Sequence, residues 1–86
     1  MSKISNIKEL YPDEVFLDYE GFDDAILGVA ENLNEPMRLI YSVDKCLTIL
    51  EQWMEQVDTI EYFMYNMEGA FVGSRAPIWC WDLPEL

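Results

Sequence analysis

The spacing of apolar residues changes at Ser42, and this change most constrains the fold. Before Ser42, short apolar segments with strand-like spacing are separated by turn residues, which is typical of β-strands. After Ser42, apolar residues recur at every third or fourth position, as in an amphipathic helix. The chain has 86 residues, of which 51% are hydrophobic, enough for one core. We therefore predict one domain over residues 1–86 that combines a sheet with helices.

Three strands are predicted in the first half of the chain. Val15–Tyr19 alternates with a period of two, Ala25–Glu31 is apolar on both faces, and Met37–Tyr41 follows residues suited to a hairpin turn. Residues 1–13 have no such pattern, and Pro12 opposes a long helix there. We expect a frayed start or a single helical turn before the first strand.

Two helices and a last strand are predicted in the second half. The first helix begins after Ser42, a favourable N-cap, and ends near Gln56 or Val57. The second has Asp58 as its cap, with capping-box spacing. Its predicted buried residues are Ile60, Phe63, Met64, Met67 and Phe71. The last strand is Ile78–Asp82. The order β-β-β-α-α-β predicts an α+β fold with a small antiparallel or mixed sheet packed against two helices.

The residue types present exclude several kinds of chemistry. The chain has no histidine and only two cysteines, Cys46 and Cys80, so it cannot build a structural zinc site or use an imidazole in catalysis. Apolar neighbours indicate that both cysteines are buried as small hydrophobic residues. Residues 69–75 match neither a phosphate-binding loop nor a nucleophile elbow. We expect no enzymatic activity, no cofactor and no bound metal.

The net charge narrows the choice of partner. Five basic residues against seventeen acidic ones give a net charge of −12. Nucleic acids and anionic membranes are themselves negative, so direct binding to either is excluded. No apolar stretch has the length of a signal peptide or a membrane span. We expect the chain to remain in the cytoplasm and to bind protein.

The acidic residues are the first candidate binding group. Nine of them lie from Glu9 to Glu35 with no base between. A rigid array of carboxylates can occupy the basic groove of a nucleic-acid enzyme, whereas the alternative is a solvated surface that maintains solubility. The spacing around Gly21 is not that of a calcium loop, which favours an ordinary acidic turn over a metal site. The acids predicted to bind a partner are Asp18, Glu20, Asp23, Asp24, Glu51, Glu55 and Asp58.

Aromatic residues on the last strand are the second candidate group. Alternation places Trp79 and Trp81 on one face of the strand and Ile78 and Cys80 on the other. If the helices cover only one face of the sheet, one of these pairs is exposed. An exposed tryptophan pair bordered by carboxylates is typical of a protein–protein hot spot, whereas the alternative is that both faces are covered. Trp79 and Trp81 therefore join the predicted partner-binding residues.

Several segments resemble a group of small uncharacterised tailed-phage proteins. Those proteins carry the patterns DKCIEIL, EAIEYFEFN, GAYVGE and TPIF in this order, after a strand similar to AIIGVAER. The matching segments here are AILGVAE (25–31), DKCLTIL (44–50), IEYFMYN (60–66), GAFVG (69–73) and PIW (77–79). The chain departs from the pattern at residues 53–57, at Ser74-Arg75 and from Trp81 to Leu86. The resemblance implies a phage gene acting inside a bacterial cell and transfers no catalytic residue.

Charge, aromatic content and resemblance lead to one expected function. We expect a non-enzymatic acidic phage protein that binds and modulates or inhibits a host or defence protein in the bacterial cytoplasm. A sharper version is mimicry of the nucleic acid held by a nucleic-acid-binding enzyme. Two alternatives remain open: an accessory protein of the virion, and a binder of a small molecule such as a nucleotide signal. The second would rely on Arg38, Lys45 and Arg75.

Overall fold

The chain folds into a three-stranded sheet with helices, and the predicted α+β class is confirmed. The computed structural model describes residues 2–70 and 73–84. In order, the elements are helix α1 Lys3–Leu10, a 3₁₀ turn Asp23–Ala25, strand β1 Ile26–Ala30, strand β2 Arg38–Ser42, helix α2 Val43–Leu50, helix α3 Gln56–Phe63, a π-helical segment Met64–Glu68 and strand β3 Ile78–Cys80. The predicted succession of strands and helices is broadly reproduced, with one strand fewer and one helix more.

The sheet has the order β1-β2-β3 and is mixed. β1 and β2 form an antiparallel pair in which Ile26 lies opposite Tyr41. β2 and β3 are parallel, with Tyr41 opposite Trp79. A parallel pair needs a crossover connection, and here α2 and α3 provide it. The apolar residues that begin after Ser42 thus serve both to cover the sheet and to return the chain to it.

The core lies between one face of the sheet and the helices. Tyr41 is fully buried at its centre, where its hydroxyl accepts a hydrogen bond from the Tyr19 backbone N–H at 2.9 Å. Burial raises the pKa of Tyr41 to about 12, so this hydroxyl remains protonated at neutral pH. The Trp79 ring packs against the Tyr41 ring, and the Phe63 ring packs against Trp79 in turn. The other fully or almost fully buried side chains include Leu39, Val43, Cys46 and Leu50.

The predicted strand Val15–Tyr19 is wrong, because this segment is irregular. Its backbone forms hydrogen bonds with side chains that are distant in the sequence. The Tyr19 N–H donates to the Tyr41 hydroxyl, and the Val15 carbonyl accepts from the Arg75 guanidinium at 2.8 Å. Burial does not follow the alternation, since Val15 and Leu17 are exposed, whereas Phe16 is buried and Tyr19 packs on the aromatic cluster.

The N-terminal segment is more helical than the predicted frayed start or single turn. α1 has eight residues. Ser2 is its N-cap, and the Ser2 hydroxyl accepts from the Ser5 N–H. The Asp23 carboxylate accepts from the N–H groups of Lys3 and Ile4, both at 2.9 Å. This long-range cap stabilises the start of the helix and was absent from the local sequence pattern.

The boundary between α2 and α3 also differs from the prediction. Ser42 is the N-cap of α2 as predicted, but the helix ends at Leu50, before the expected Gln56 or Val57. Residues 51–54 form turns in which the N–H groups of Trp53 and Met54 donate to the Leu50 carbonyl. The N-cap of α3 is Glu55, so Asp58 lies inside the first turn and does not cap the helix.

The predicted buried face of α3 is only partly correct. Phe63 and Met67 are buried, whereas Ile60 and Met64 are exposed. Thr59 is buried instead, and its hydroxyl is satisfied by donating to the Gln56 carbonyl at 2.6 Å within the helix. The remaining member of the prediction, Phe71, lies outside the described residues.

The last strand and its cysteine need two smaller corrections. The strand spans Ile78–Cys80 and so ends before the predicted Asp82, whose carboxylate instead accepts hydrogen bonds at the start of α2. Cys46 is buried as predicted, but Cys80 is only half-buried. Cys80 is opposite Ser42 in the register, on the face of β3 opposite to Trp79.

Candidate partner-binding site

An exposed tryptophan lies against the acidic turn that precedes β1. The Trp53 ring packs edge-on against Phe22, with ring centroids 6.2 Å apart. Gly21, next to Phe22, has a φ of +91°, a backbone conformation that favours glycine, and the Trp53 ring lies close to it, 3.8 Å from the position of a Cβ atom there. Trp53 nevertheless remains 62% exposed. The turn and the end of α2 therefore form one continuous surface.

We call this the Trp53 surface and define it by Glu20, Gly21, Asp24, Glu51 and Trp53. Glu20 and Asp24 lie on the turn, and Glu51 directly follows α2. All three carboxylate side chains are exposed. Asp24 also borders a shallow depression lined by Lys45, Thr48, Ile49 and Gln52 of α2 and the turn after it. Three of the predicted acids thus lie on the turn that Trp53 contacts or within two residues of Trp53 in the sequence.

Asp23, another predicted binding residue, has a structural role. Its carboxylate caps α1 through the N–H groups of Ile4 and Lys3. These two hydrogen bonds hold the pKa of Asp23 below its ordinary value. Since both carboxylate oxygens accept backbone hydrogen bonds, Asp23 is less available to a partner than its neighbour Asp24.

The other predicted acids lie elsewhere on the fold. Glu55 is the N-cap residue of α3, where its side chain makes no capping hydrogen bond, and Asp58 is in the first turn of that helix. Asp18 is exposed and directly precedes Tyr19, whose ring packs against Trp79 with centroids 5.6 Å apart. The seven predicted acids are therefore distributed over the acidic turn, the segment before it, the connection between α2 and α3, and α3 itself.

The two predicted tryptophans differ in environment. Trp79 is half-buried and contacts Tyr19, Tyr41 and Phe63 in the aromatic cluster. Trp81 is 59% exposed and packs edge-on against Phe63 at a centroid distance of 6.0 Å. Trp81 is therefore more accessible to a partner than Trp79 is. The role of both residues in binding stays a prediction.

The N-terminus of α2 is occupied by the chain itself. The Ser42 hydroxyl donates to the Asp82 carboxylate at 2.8 Å and accepts from the Lys45 N–H. The Asp44 N–H also donates to Asp82. Partial burial raises the pKa of Asp82, but these hydrogen bonds outweigh it and the pKa lies below its ordinary value. Because Asp82 already takes the place of an anion, this helix end is not available to a phosphate group.

The buried thiol of Cys46 is chemically inert. Burial raises the pKa of Cys46 to about 12, which keeps it a protonated and unreactive thiol. Within residues 2–70 and 73–84, no group of three or more acidic or cysteine side chains is arranged to hold a metal ion. Nor does any helix in that part of the chain have the length and apolar character needed to cross a membrane.

Two exposed apolar features were missed by sequence reasoning. One is the position of Trp53 against the acidic turn. The other is a row of exposed residues on α3 and its continuation, Val57, Ile60 and Met64, which we call the α3 stripe. The strict helical spacing of Ile60 and Met64 pointed to burial. The sequence also carried a sign against burial, namely the acidic residues Asp58 and Glu61 next to the row.

These features define a small acidic α+β protein with two candidate binding surfaces, the acidic Trp53 surface and the apolar α3 stripe. Comparison with known protein families, with curated proteins and with solved structures finds no match.

Proposed function

We propose that this chain is a non-enzymatic protein that binds a basic surface of a host or defence protein and modulates or inhibits it. The observation that carries the proposal is the Trp53 surface, where an exposed indole packs against a turn that carries exposed carboxylates. Such a surface can provide affinity through the aromatic ring and selectivity through charge.

The negative charge is directed to solvent and is little neutralised within the protein. Among the described residues the single ion pair joins Arg75 to Glu14 at 3.3 Å. Every described carboxylate is exposed except those of Glu14, Asp23, Glu68 and Asp82. A field of one sign accelerates association with a basic partner and repels acidic ones. This supports binding to a positively charged protein surface.

Trp53 supplies what a purely solvated acidic surface would lack. Tryptophan is among the residues that contribute most to protein interfaces, especially where polar groups surround it. Its ring is held by Phe22 on one side, so little side-chain freedom is lost when a partner covers it. The sharper form of the proposal is that Glu20, Asp24 and Glu51 take the positions of phosphates in the groove of a nucleic-acid-binding enzyme.

A nucleotide-binding role has less support from the basic residues. Arg75 already contacts Glu14 and the Val15 carbonyl. Arg38 begins β2, whereas Lys45 lies in α2 beyond the other end of that strand. The length of β2 thus separates two of the three bases that a phosphate site would need to bring together.

The test compares two variants with equal loss of charge. The first carries Glu20→Gln, Asp24→Asn and Glu51→Gln, which neutralise the Trp53 surface. The control carries Glu9→Gln, Glu31→Gln and Glu35→Gln, three exposed acids outside that surface. Tagged proteins are incubated with bacterial lysate at low and high salt, and retained proteins are quantified by mass spectrometry. We expect a nucleic-acid-processing protein to be retained by the wild type and the control, and to be lost from the first variant and at high salt.

Two further measurements separate the parts of the proposal. Trp53→Ala should weaken binding to the purified captured protein by at least about tenfold, as expected for an aromatic hot spot. Duplex DNA should compete with the chain for that protein if the acids imitate phosphates. Failure of DNA to compete would exclude mimicry alone, whereas equal retention by both charge variants would exclude the Trp53 surface as the binding site.

A further inference from the structure

The α3 stripe is an apolar row on α3 that the described residues leave largely exposed. Val57 is 72% exposed, and Ile60 and Met64 are each 49% exposed. Positions separated by three, four and seven residues lie on the same side of a helix. The buried side of α3 is instead formed by Thr59 and Phe63. The stripe therefore lies beside the buried face of α3 and extends the apolar surface of the helix toward solvent.

The charges around the stripe have a single sign. No lysine or arginine occurs in the sequence from Cys46 to Ser74, which includes the whole of α3. Asp58 and Glu61 are exposed on the same helix. A partner that covers the stripe must therefore come close to carboxylates with no basic residue of α3 to offset them.

Trp81, which is 59% exposed and packs against Phe63 of α3, adds a further apolar side chain beside this helix.

We propose that the α3 stripe binds the apolar face of a basic amphipathic helix from another protein. A row of this spacing presents ridges into which the side chains of a second helix fit. Lysine or arginine residues flanking the apolar face of the incoming helix would pair with Asp58 and Glu61. A second copy of this chain would instead bring those carboxylates against their own equivalents, and the net charge of −12 on each copy opposes that contact. The inference concerns a second surface and does not depend on the Trp53 surface.

The probe is a synthetic helical peptide of lysine and leucine with one apolar face. A peptide of the same composition in shuffled order, without an apolar face, is the comparison. Amide shifts of the isotope-labelled wild-type protein are followed by nuclear magnetic resonance during titration. We expect the largest shifts in α3 with the amphipathic peptide. With the shuffled peptide we expect weaker and dispersed shifts, because simple charge attraction has no preference for the stripe.

A pair of variants with unchanged charge tests the apolar contribution. The first carries Val57→Thr, Ile60→Thr and Met64→Gln in the stripe, and the control carries Leu10→Gln, Leu33→Gln and Leu83→Gln at exposed positions elsewhere. Peptide affinity should fall at least about tenfold in the first and change little in the control. If the first variant does not fold, the shift mapping on the wild type still decides the matter.

Three results would overturn the inference. They are equal affinity of the two peptides, equal affinity of the two variants, and a dimer in sedimentation experiments whose dissociation requires the stripe substitutions. The last result would assign the stripe to a second copy of the chain.

Discussion

The two crossover helices have equal lengths, but α2 contributes more side chains to the core than α3 does. α2 buries Val43, Cys46 and Leu50, and its N-terminus is capped by the Ser42 side chain. α3 buries only Thr59 and Phe63, and its N-cap makes no side-chain hydrogen bond. α2 joins directly to the central strand, whereas α3 is connected to β3 through the π-helical segment and the residues after it. Position next to the sheet, rather than helical pattern, determines which apolar residues become core.

This difference assigns the helices different tasks. α2 holds the fold together through its packing and its cap. α3 completes the crossover and presents an apolar stripe and several carboxylates to solvent. If α2 stabilises the fold more than α3 does, a substitution in α2 should lower the free energy of unfolding more than the matched substitution in α3.

The largest effect is expected from truncating a buried side chain of α2. Leu50 is 1% exposed, and Leu50→Ala should lower the free energy of unfolding by about 3 kcal/mol, through lost burial and a cavity. The matched substitution in α3, Ile60→Ala, should cost about 1 kcal/mol or less, because half of that side chain already contacts water. Urea denaturation followed by circular dichroism measures both. Equal costs would show that the α3 stripe is buried in solution.

The contrast between the helices also shows how far sequence reasoning reached. β1, β2 and the start of α2 were predicted to within about one residue, in line with the usual uncertainty of element boundaries. Each of these has a local signal, such as turn residues or the Ser42 cap. The irregular segment 15–19 was missed because its backbone hydrogen bonds go to Tyr41 and Arg75, which are remote in sequence.

The candidate surfaces were predicted in composition but not in arrangement. The acids of the Trp53 surface were visible in the sequence, but not that the fold would bring Lys3 and Lys45 next to Asp24. That Trp53 would pack against Phe22 depends on the contact between the turn and α2, which no local pattern encodes. Likewise, helical spacing identified Ile60 and Met64 as one side of a helix but could not show whether another element covers it.

The second prediction concerns the end of the π-helical segment after α3. A Cβ atom at Gly69 would lie 2.5 Å from the Met64 carbonyl oxygen, which accepts the Gly69 N–H at 2.8 Å. Gly69→Ala should therefore force the backbone apart and cost about 2 kcal/mol, as is common for overpacking. At Gly28 a Cβ atom meets nothing within 4 Å, so Gly28→Ala is the control and should be close to neutral. Thermal unfolding of the two variants compares them, and a neutral Gly69→Ala would mean that the π-helical segment is not required.

The third prediction compares the two N-caps. Ser42→Ala removes the acceptor for the Lys45 N–H and the donor to Asp82, and should cost about 1 kcal/mol or somewhat more. Glu55→Ala at the cap of α3 should change stability by a few tenths of a kcal/mol at most, since that side chain makes no capping hydrogen bond. Both values come from urea denaturation at neutral pH. A larger loss for Glu55→Ala than for Ser42→Ala would reverse the assignment of the caps.

The smallest effect is the pH dependence of the α2 cap. The folded pKa of Asp82 lies below its ordinary value of 3.8, so its ionised form adds stability above that value and loses it as the pH falls through the folded pKa. Between about pH 5 and about pH 2.5, the urea midpoint of Asp82→Asn should therefore fall less than that of the wild type. Protonation of other carboxylates also relieves repulsion, so Glu31→Gln, with the same charge change at an exposed site, is the control. Its acid profile should follow the wild type, and identical profiles for Asp82→Asn and the wild type would show that the carboxylate does not stabilise α2.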